Sequence, residues 1–108
     1  MSTLIPRGNI RAIFAISATF NPASVATITT AEQTTTVIGL KVGDFVMSQK
    51  PTNTAGVGVV NCRVSAADTL AVTFVNPTAG AVDAASETWQ FLVVRPDPSP
   101  LGSIIPPL

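Results

Sequence analysis

The residues of this chain that could do chemistry are one cysteine, six carboxylates and a Gly-x-Gly sequence, and the chain has no histidine. Cys62 could act as a nucleophile only beside an activating base, and without histidine the candidate bases are distant lysine or carboxylate groups. The usual zinc and haem ligand sets also require histidine or several cysteines. We therefore interpret Cys62 as a buried structural thiol, and we expect neither a metal nor a cofactor.

The six carboxylates lie in predicted turns, strand ends or loops, where capping and turn formation are their common roles. Two carboxylates could in principle support acid/base hydrolysis, but no spacing in this chain recommends a pair. The six are Glu32, Asp44, Asp68, Asp83, Glu87 and Asp97.

The remaining chemical candidates also favour structural roles. "AGVGVVN", residues 55–61, lacks the third glycine of a dinucleotide-binding motif, and a valine-rich strand follows where that motif has a helix. Trp89 is the only tryptophan and there is no tyrosine, so we expect Trp89 in the core or a subunit interface rather than in an exposed sugar-binding platform. The sequence predicts a structural or binding protein and not an enzyme.

Composition points to a protein that works in an assembly. The 108 residues carry no net charge, which argues against nucleic acid and anionic membranes as partners. Charged residues make up 11% and the mean hydropathy is +0.46, whereas soluble domains have about 25% charged residues. A surface of threonine and alanine would explain these values, but we favour a homo-oligomer that buries apolar surface. No apolar run approaches the roughly 18 residues of a membrane span.

The elements that must position these residues are β-strands. Short β-branched and apolar stretches alternate with turn signals, which is typical of an antiparallel β-sandwich or a barrel-like domain. We predict an all-β fold of about seven strands, with "AEQ" connecting the second strand to the third. The predicted strands cover residues 10–20, 25–30, 34–38, 45–48, 57–64, 70–75 and 89–95.

Alternation along these strands predicts which side chains form the core. In the fifth predicted strand, Val60, Cys62 and Val64 are expected to face inward. The predicted buried residues are Phe14, Ile16, Val46, Val60, Val64, Leu70, Val72, Phe74, Phe91 and Val93.

The two ends of the chain are predicted to be extended contact segments. "RPDPSPLGSIIPPL", residues 95–108, holds five of the nine prolines yet is apolar, so it favours an extended conformation whose side chains need a surface. We divide the chain into an N-terminal arm (1–9), a β-domain (10–96) and a C-terminal arm (97–108). The expected protein-contact residues are Leu4, Ile5, Pro6, Leu101, Ile104, Ile105 and Leu108.

Residues 34–96 resemble small β-domains of tailed bacteriophages, through the turn "GLKVGD", the hairpin "RVSAADTLAVTFVNPTAG" and the closing "RP". The resemblance is strongest to head decoration, or cement, proteins. It implies a trimer on the outer surface of the capsid that bridges major capsid protein subunits. A tail or fibre component is the alternative within virions, and a ligand-binding module or an enzyme are further alternatives outside them.

Overall fold

Residues 10–97 are the part of the chain that the computed structural model describes, and they form two three-stranded antiparallel sheets without a helix. The predicted all-β fold is therefore confirmed, and the arrangement is that of a β-sandwich. The strands are β1 (Ile10–Phe20), β2 (Thr29–Thr36), β3 (Phe45–Gln49), β4 (Gly58–Ala66), β5 (Thr69–Asn76) and β6 (Glu87–Pro96).

The core lies between the two central strands. One sheet has the order β1-β6-β3 and the other has the order β2-β5-β4. Trp89 of β6 meets Phe74 of β5 edge to face, with ring centroids 6.0 Å apart, and Phe20 packs on Trp89 at 5.1 Å. Trp89 is fully buried, which confirms it as a core residue. The other fully buried large side chains include Leu40, Leu70, Val72, Phe91 and Val93.

The number of strands is six and not seven, because residues 25–38 contain one strand. Val25 forms an isolated bridge with Val82, and β2 then runs unbroken through "AEQ". The predicted connection at "AEQ" was wrong, because polar residues also occur within a strand that has one exposed face. In the structure Glu32 faces outward and binds Arg63, while the half-buried Gln33 donates to and accepts from the backbone of Ala23.

The predicted inward orientation of Val60 was also wrong. The pairing of β4 with β5 shifts between Val59 and Asn61, and such a bulge reverses the faces on which the following side chains lie. Val60 is therefore 58% exposed, and Val57 packs on the core from before the bulge. Strict alternation cannot predict this change because it assumes an unbroken ladder.

Two Val→Ala substitutions on β4 test the effect of the bulge on the facing of its side chains. Val64→Ala removes a buried side chain and is expected to lower the free energy of unfolding by about 1–2 kcal/mol. Val60→Ala removes an exposed one and is expected to change it by less than about 0.5 kcal/mol. Urea denaturation of both variants measures the difference. Equal losses would mean that Val60 and Val64 share the inner face.

The other core predictions agree with the structure. Val64, Leu70, Val72, Phe74, Phe91 and Val93 are buried, and Phe14, Ile16 and Val46 are half-buried against them. The N-terminal arm and residues 98–108 lie outside the described residues. So do all seven expected contact residues, Leu4, Ile5, Pro6, Leu101, Ile104, Ile105 and Leu108, and their role stays a prediction.

Candidate interaction surface

Three of the sequence motifs meet at one corner of the sandwich. The guanidinium of Arg95, from "RP", donates to both carboxylate oxygens of Asp44, from "GLKVGD", at 2.9 and 2.8 Å. It also donates to the carbonyl of Gly39 at 2.7 Å. The amide of Gly39 donates to Asp68 of "SAADT" at 2.8 Å. Distant motifs are thus joined by hydrogen bonds that hold the ends of the two sheets together.

The Asp44–Arg95 pair at this corner is largely removed from water. The side chain of Asp44 is 2% exposed and that of Arg95 is 19% exposed. The hydrogen bond from Arg95 lowers the pKa of Asp44 and outweighs the opposing effect of burial, with help from the amide of Lys41. Arg95 also lies over the ring of Phe14, 5.2 Å from its centroid. These contacts stabilise the fold and leave Asp44 no free oxygen for catalysis.

The end of the hairpin motif, "VNPTAG", is a loop held by a buried side-chain amide. Asn76 accepts from the amide and the hydroxyl of Thr78, at 2.9 and 2.6 Å. It donates to the carbonyls of Gly80 and Val25, at 2.8 and 2.9 Å. A fully buried amide with all of these partners fixes the loop. The motifs that carry the resemblance therefore encode turns and corners and not a binding site.

Three further carboxylates form ion pairs that link different parts of the fold. Glu32, Glu87 and Asp97 each form an ion pair, with Arg63, Lys50 and Arg11 respectively. The prediction that all carboxylates lie in turns, ends or loops was wrong for Glu32, which lies within β2.

Cys62 is half-buried rather than fully buried. Its Sγ lies 3.3 Å from the hydroxyl oxygen of Ser48. Burial raises the pKa of the Cys62 thiol, which lowers its reactivity at neutral pH. Asp68 accepts from the amide of Gly39, and Asp83 lies exposed in a loop. The cysteine and five of the six carboxylates thus make structural contacts.

The outer side of the β1-β6-β3 sheet carries an apolar surface two rows deep. Ile13 and Phe45 flank Val94 in the first row, and Ala15 and Met47 flank Leu92 in the second. The exposed fractions are 50% for Ile13, 66% for Phe45, 68% for Met47 and 41% for Leu92. We call these six residues the outer apolar face: Ile13, Ala15, Phe45, Met47, Leu92 and Val94. A contiguous exposed apolar surface is a candidate site of association.

Polar residues border the outer apolar face at both ends. One row further along the strands, Ser17 and Gln49 flank Gln90. At the opposite end, the exposed ion pair of Arg11 with Asp97 lies beside the sheet, with N–O distances of 3.2 and 3.0 Å. An apolar centre with a polar rim is the usual anatomy of a protein interface.

Sequence reasoning identified the inner face of this sheet and missed the outer one. The signal was present, because β1, β3 and β6 have apolar residues in both phases of the alternation, as in "FLVV" and "FVM". Strands with apolar residues in both phases are typical of sheets that are covered on both faces.

Both predicted arms begin at the same end of this sheet, where β1 starts and β6 ends. Ile10, the first described residue, pairs with Pro96 at the end of β6. The row of Ile13 and Val94 lies only two to three residues from that end of the strands. The arms, whose contact residues were predicted from sequence, are therefore attached next to the outer apolar face.

Among residues 10–97 there is no group of three or more histidine, cysteine, aspartate or glutamate side chains placed to hold a metal ion. The same part of the chain contains no helix with the length and apolar character needed to span a membrane. Comparison of the chain with protein-family models, curated proteins and solved structures finds no significant match in any of the three.

Proposed function

We propose that this chain is a non-enzymatic virion protein that decorates the outer surface of a tailed-phage capsid. In this role it assembles as a trimer and bridges neighbouring subunits of the major capsid protein. The observation that carries the proposal is the outer apolar face beside the two arm attachment points at Ile10 and Pro96. A protein that bridges subunits needs a rigid body with more than one contact surface, and simultaneous contacts strengthen attachment through effective concentration.

The resemblance to head decoration proteins agrees with the structural role of the motifs. "GLKVGD", "SAADT" and "RP" meet through Asp44, Asp68 and Arg95, so in this chain these motifs build one corner of the sandwich. Low charge supports the same function, because a protein kept on a capsid does not have to remain dispersed by charge repulsion. The ion pairs of Arg11, Arg63, Arg95 and Lys50 leave few unpaired basic side chains for nucleic acid in the described part of the chain.

The proposal is tested on heads of the phage that encodes the chain, assembled without this protein. We expect the purified full chain to co-sediment with these heads up to a fixed ratio and to raise the temperature at which they break. Leu101→Ser with Ile104→Ser should weaken attachment at least about tenfold, whether the arm contacts the capsid directly or holds the trimer together, since each buried side chain contributes about 1.5–3 kcal/mol. Ser99→Ala with Ser103→Ala in the same arm is the matched control and should attach normally.

Electron microscopy of labelled virions separates the proposal from its alternative. Label over the head surface supports decoration. Label confined to the tail, together with no binding to undecorated heads, would replace the proposal with a tail or fibre role. Full attachment of the Leu101→Ser, Ile104→Ser protein would contradict the role assigned to the C-terminal arm.

A further inference from the structure

The outer apolar face requires an occupant, and the dimensions of the sheet indicate its shape. Neighbouring strands lie about 4.8 Å apart, so the two outer strands, β1 and β3, are about 10 Å apart across β6. Successive rows are about 7 Å apart along the strands. The face is thus wide enough for one extended segment that crosses three strands.

The C-terminal arm has apolar residues at matching intervals. An extended segment in the polyproline II conformation places residues three apart on one side and about 9 Å from each other. Leu101 and Ile104 have this spacing, and so do Ile105 and Leu108. An arm that crosses the sheet would place Leu101 and Ile104 about as far apart as β1 and β3.

The arm of the same protomer is poorly placed to cover its own face. β6 ends at Pro96, so the chain leaves the sheet heading away from the row of Val94. The ion pair of Arg11 with Asp97 holds the first residue of the arm beyond the end of β6. An arm that covered its own face would have to reverse this direction, whereas binding to the face of a second copy requires no such reversal.

We propose that the outer apolar face of each protomer binds the C-terminal arm of a second copy of this chain. Such a contact joins two different surfaces, so all arms and faces are satisfied in a closed assembly, either a dimer with reciprocal exchange or a ring. A ring of three agrees with the trimer of the proposed function. The contact itself concerns the isolated protein and does not depend on a capsid.

The first test compares two substitutions on β3 in the full chain. Met47→Glu places a charge in the second apolar row, whereas Gln49→Glu places the same charge one row away, in the polar border. Both side chains are exposed on the protomer, so both variants should fold, as circular dichroism can verify. By sedimentation equilibrium, Met47→Glu should weaken self-association about 10-fold to 100-fold and Gln49→Glu less than about threefold. Equal association of the two variants and the unchanged chain would overturn the proposal.

The second test identifies the occupant by cross-linking in a Cys62→Ser background. One protein carries Met47→Cys and another carries Ile104→Cys, and the two are mixed under mild oxidation. We expect a disulfide-linked heterodimer, because disulfides require Cβ atoms about 4 Å apart. The control pair, Gln49→Cys with Ser99→Cys, should form at least about fivefold less heterodimer.

A chain that carries both Met47→Cys and Ile104→Cys distinguishes the alternatives. Cross-linked dimers and larger species support exchange between copies. An intrachain disulfide as the main product would show that the arm folds onto its own face. If Met47→Cys and Ile104→Cys form no cross-link, either in one chain or in two, another segment or partner covers the face. Either result overturns the proposal, and neither affects the test on phage heads.

Discussion

Phe74→Ala is expected to lower the free energy of unfolding by about 3–5 kcal/mol, a large part of the stability of a domain of this size. Phe74 lies at the centre of the core, 1% exposed, with its ring 5.8 Å from that of Phe20 and 6.0 Å from that of Trp89. The substitution removes both aromatic contacts and leaves a cavity between the two sheets. Urea denaturation followed by tryptophan fluorescence measures the loss, since Trp89 reports on the same cluster.

Phe45→Ala is the matched control, because it deletes the same atoms from a side chain that is 66% exposed. We expect it to change the stability of the protomer by less than about 1 kcal/mol. The comparison must be made at a protein concentration low enough that doubling it leaves the unfolding midpoint unchanged, since association would stabilise the folded state. An unchanged midpoint for Phe74→Ala would mean that the facing of β5 is wrong.

Asp44→Asn is expected to lower the free energy of unfolding by about 3 kcal/mol at pH 7. The amide keeps the shape of the side chain but removes the charge that Arg95 binds through two hydrogen bonds. Arg95 would then keep Gly39 as a neutral acceptor and lose its counter-charge in a poorly solvated corner. Chemical denaturation of the full chain at neutral pH gives the difference from the unchanged protein.

The same pair makes a prediction about pH. Because the pKa of Asp44 is lowered in the folded protein, the unfolded chain binds more protons than the folded one as the pH falls through the carboxylate range. The stabilisation is therefore fully present above about pH 4 and is lost as the pH falls through the folded pKa. The difference between Asp44→Asn and the unchanged protein should narrow from pH 5 to pH 2.

Asp97→Asn serves as the control for the Asp44 experiments, because the Arg11–Asp97 pair is more than half exposed on both sides. Exposed pairs are screened by water and contribute little, so this substitution should leave the unfolding curve at neutral pH nearly unchanged. A loss as large as that of Asp44→Asn would indicate that the exposed Arg11–Asp97 pair stabilises the fold as much as the buried corner does. A constant difference between Asp44→Asn and the unchanged protein across pH would contradict the ionised state of Asp44.

The sequence by itself determined the elements whose side chains follow a simple period. β1 was predicted with its observed bounds, and the inward residues of β5 and β6 followed from the alternation of Leu70, Val72 and Phe74 and of Trp89, Phe91 and Val93. The period is reliable there because the extra residue of the bulge belongs to β4, while β5 pairs with β2 and β6 pairs with β1 without interruption over their central residues. Low charge and the absence of histidine likewise follow from composition alone.

Only the tertiary structure decided features that depend on a neighbouring strand. The bulge at Val59 and Asn61 reverses the face of Val60, because a register shift belongs to the pairing of two strands and not to one of them. "AEQ" continues a strand because its backbone pairs with residues 72–74 of β5, which lie about 40 positions away in the sequence. The corner of Asp44 and Arg95 joins residues 51 positions apart, a distance over which local sequence patterns carry no information.

The outer apolar face also depends partly on the sequence and partly on the tertiary structure. Apolar residues in both phases of β1, β3 and β6 are visible in the sequence, but the rows form only when β6 lies between the other two strands. In that order Val94 contacts Ile13 and Phe45, and Leu92 contacts Ala15 and Met47. The sequence determined which side chains are apolar, and the strand order decided that six of them form one surface, because lateral neighbours in a sheet are set by topology and not by distance along the chain.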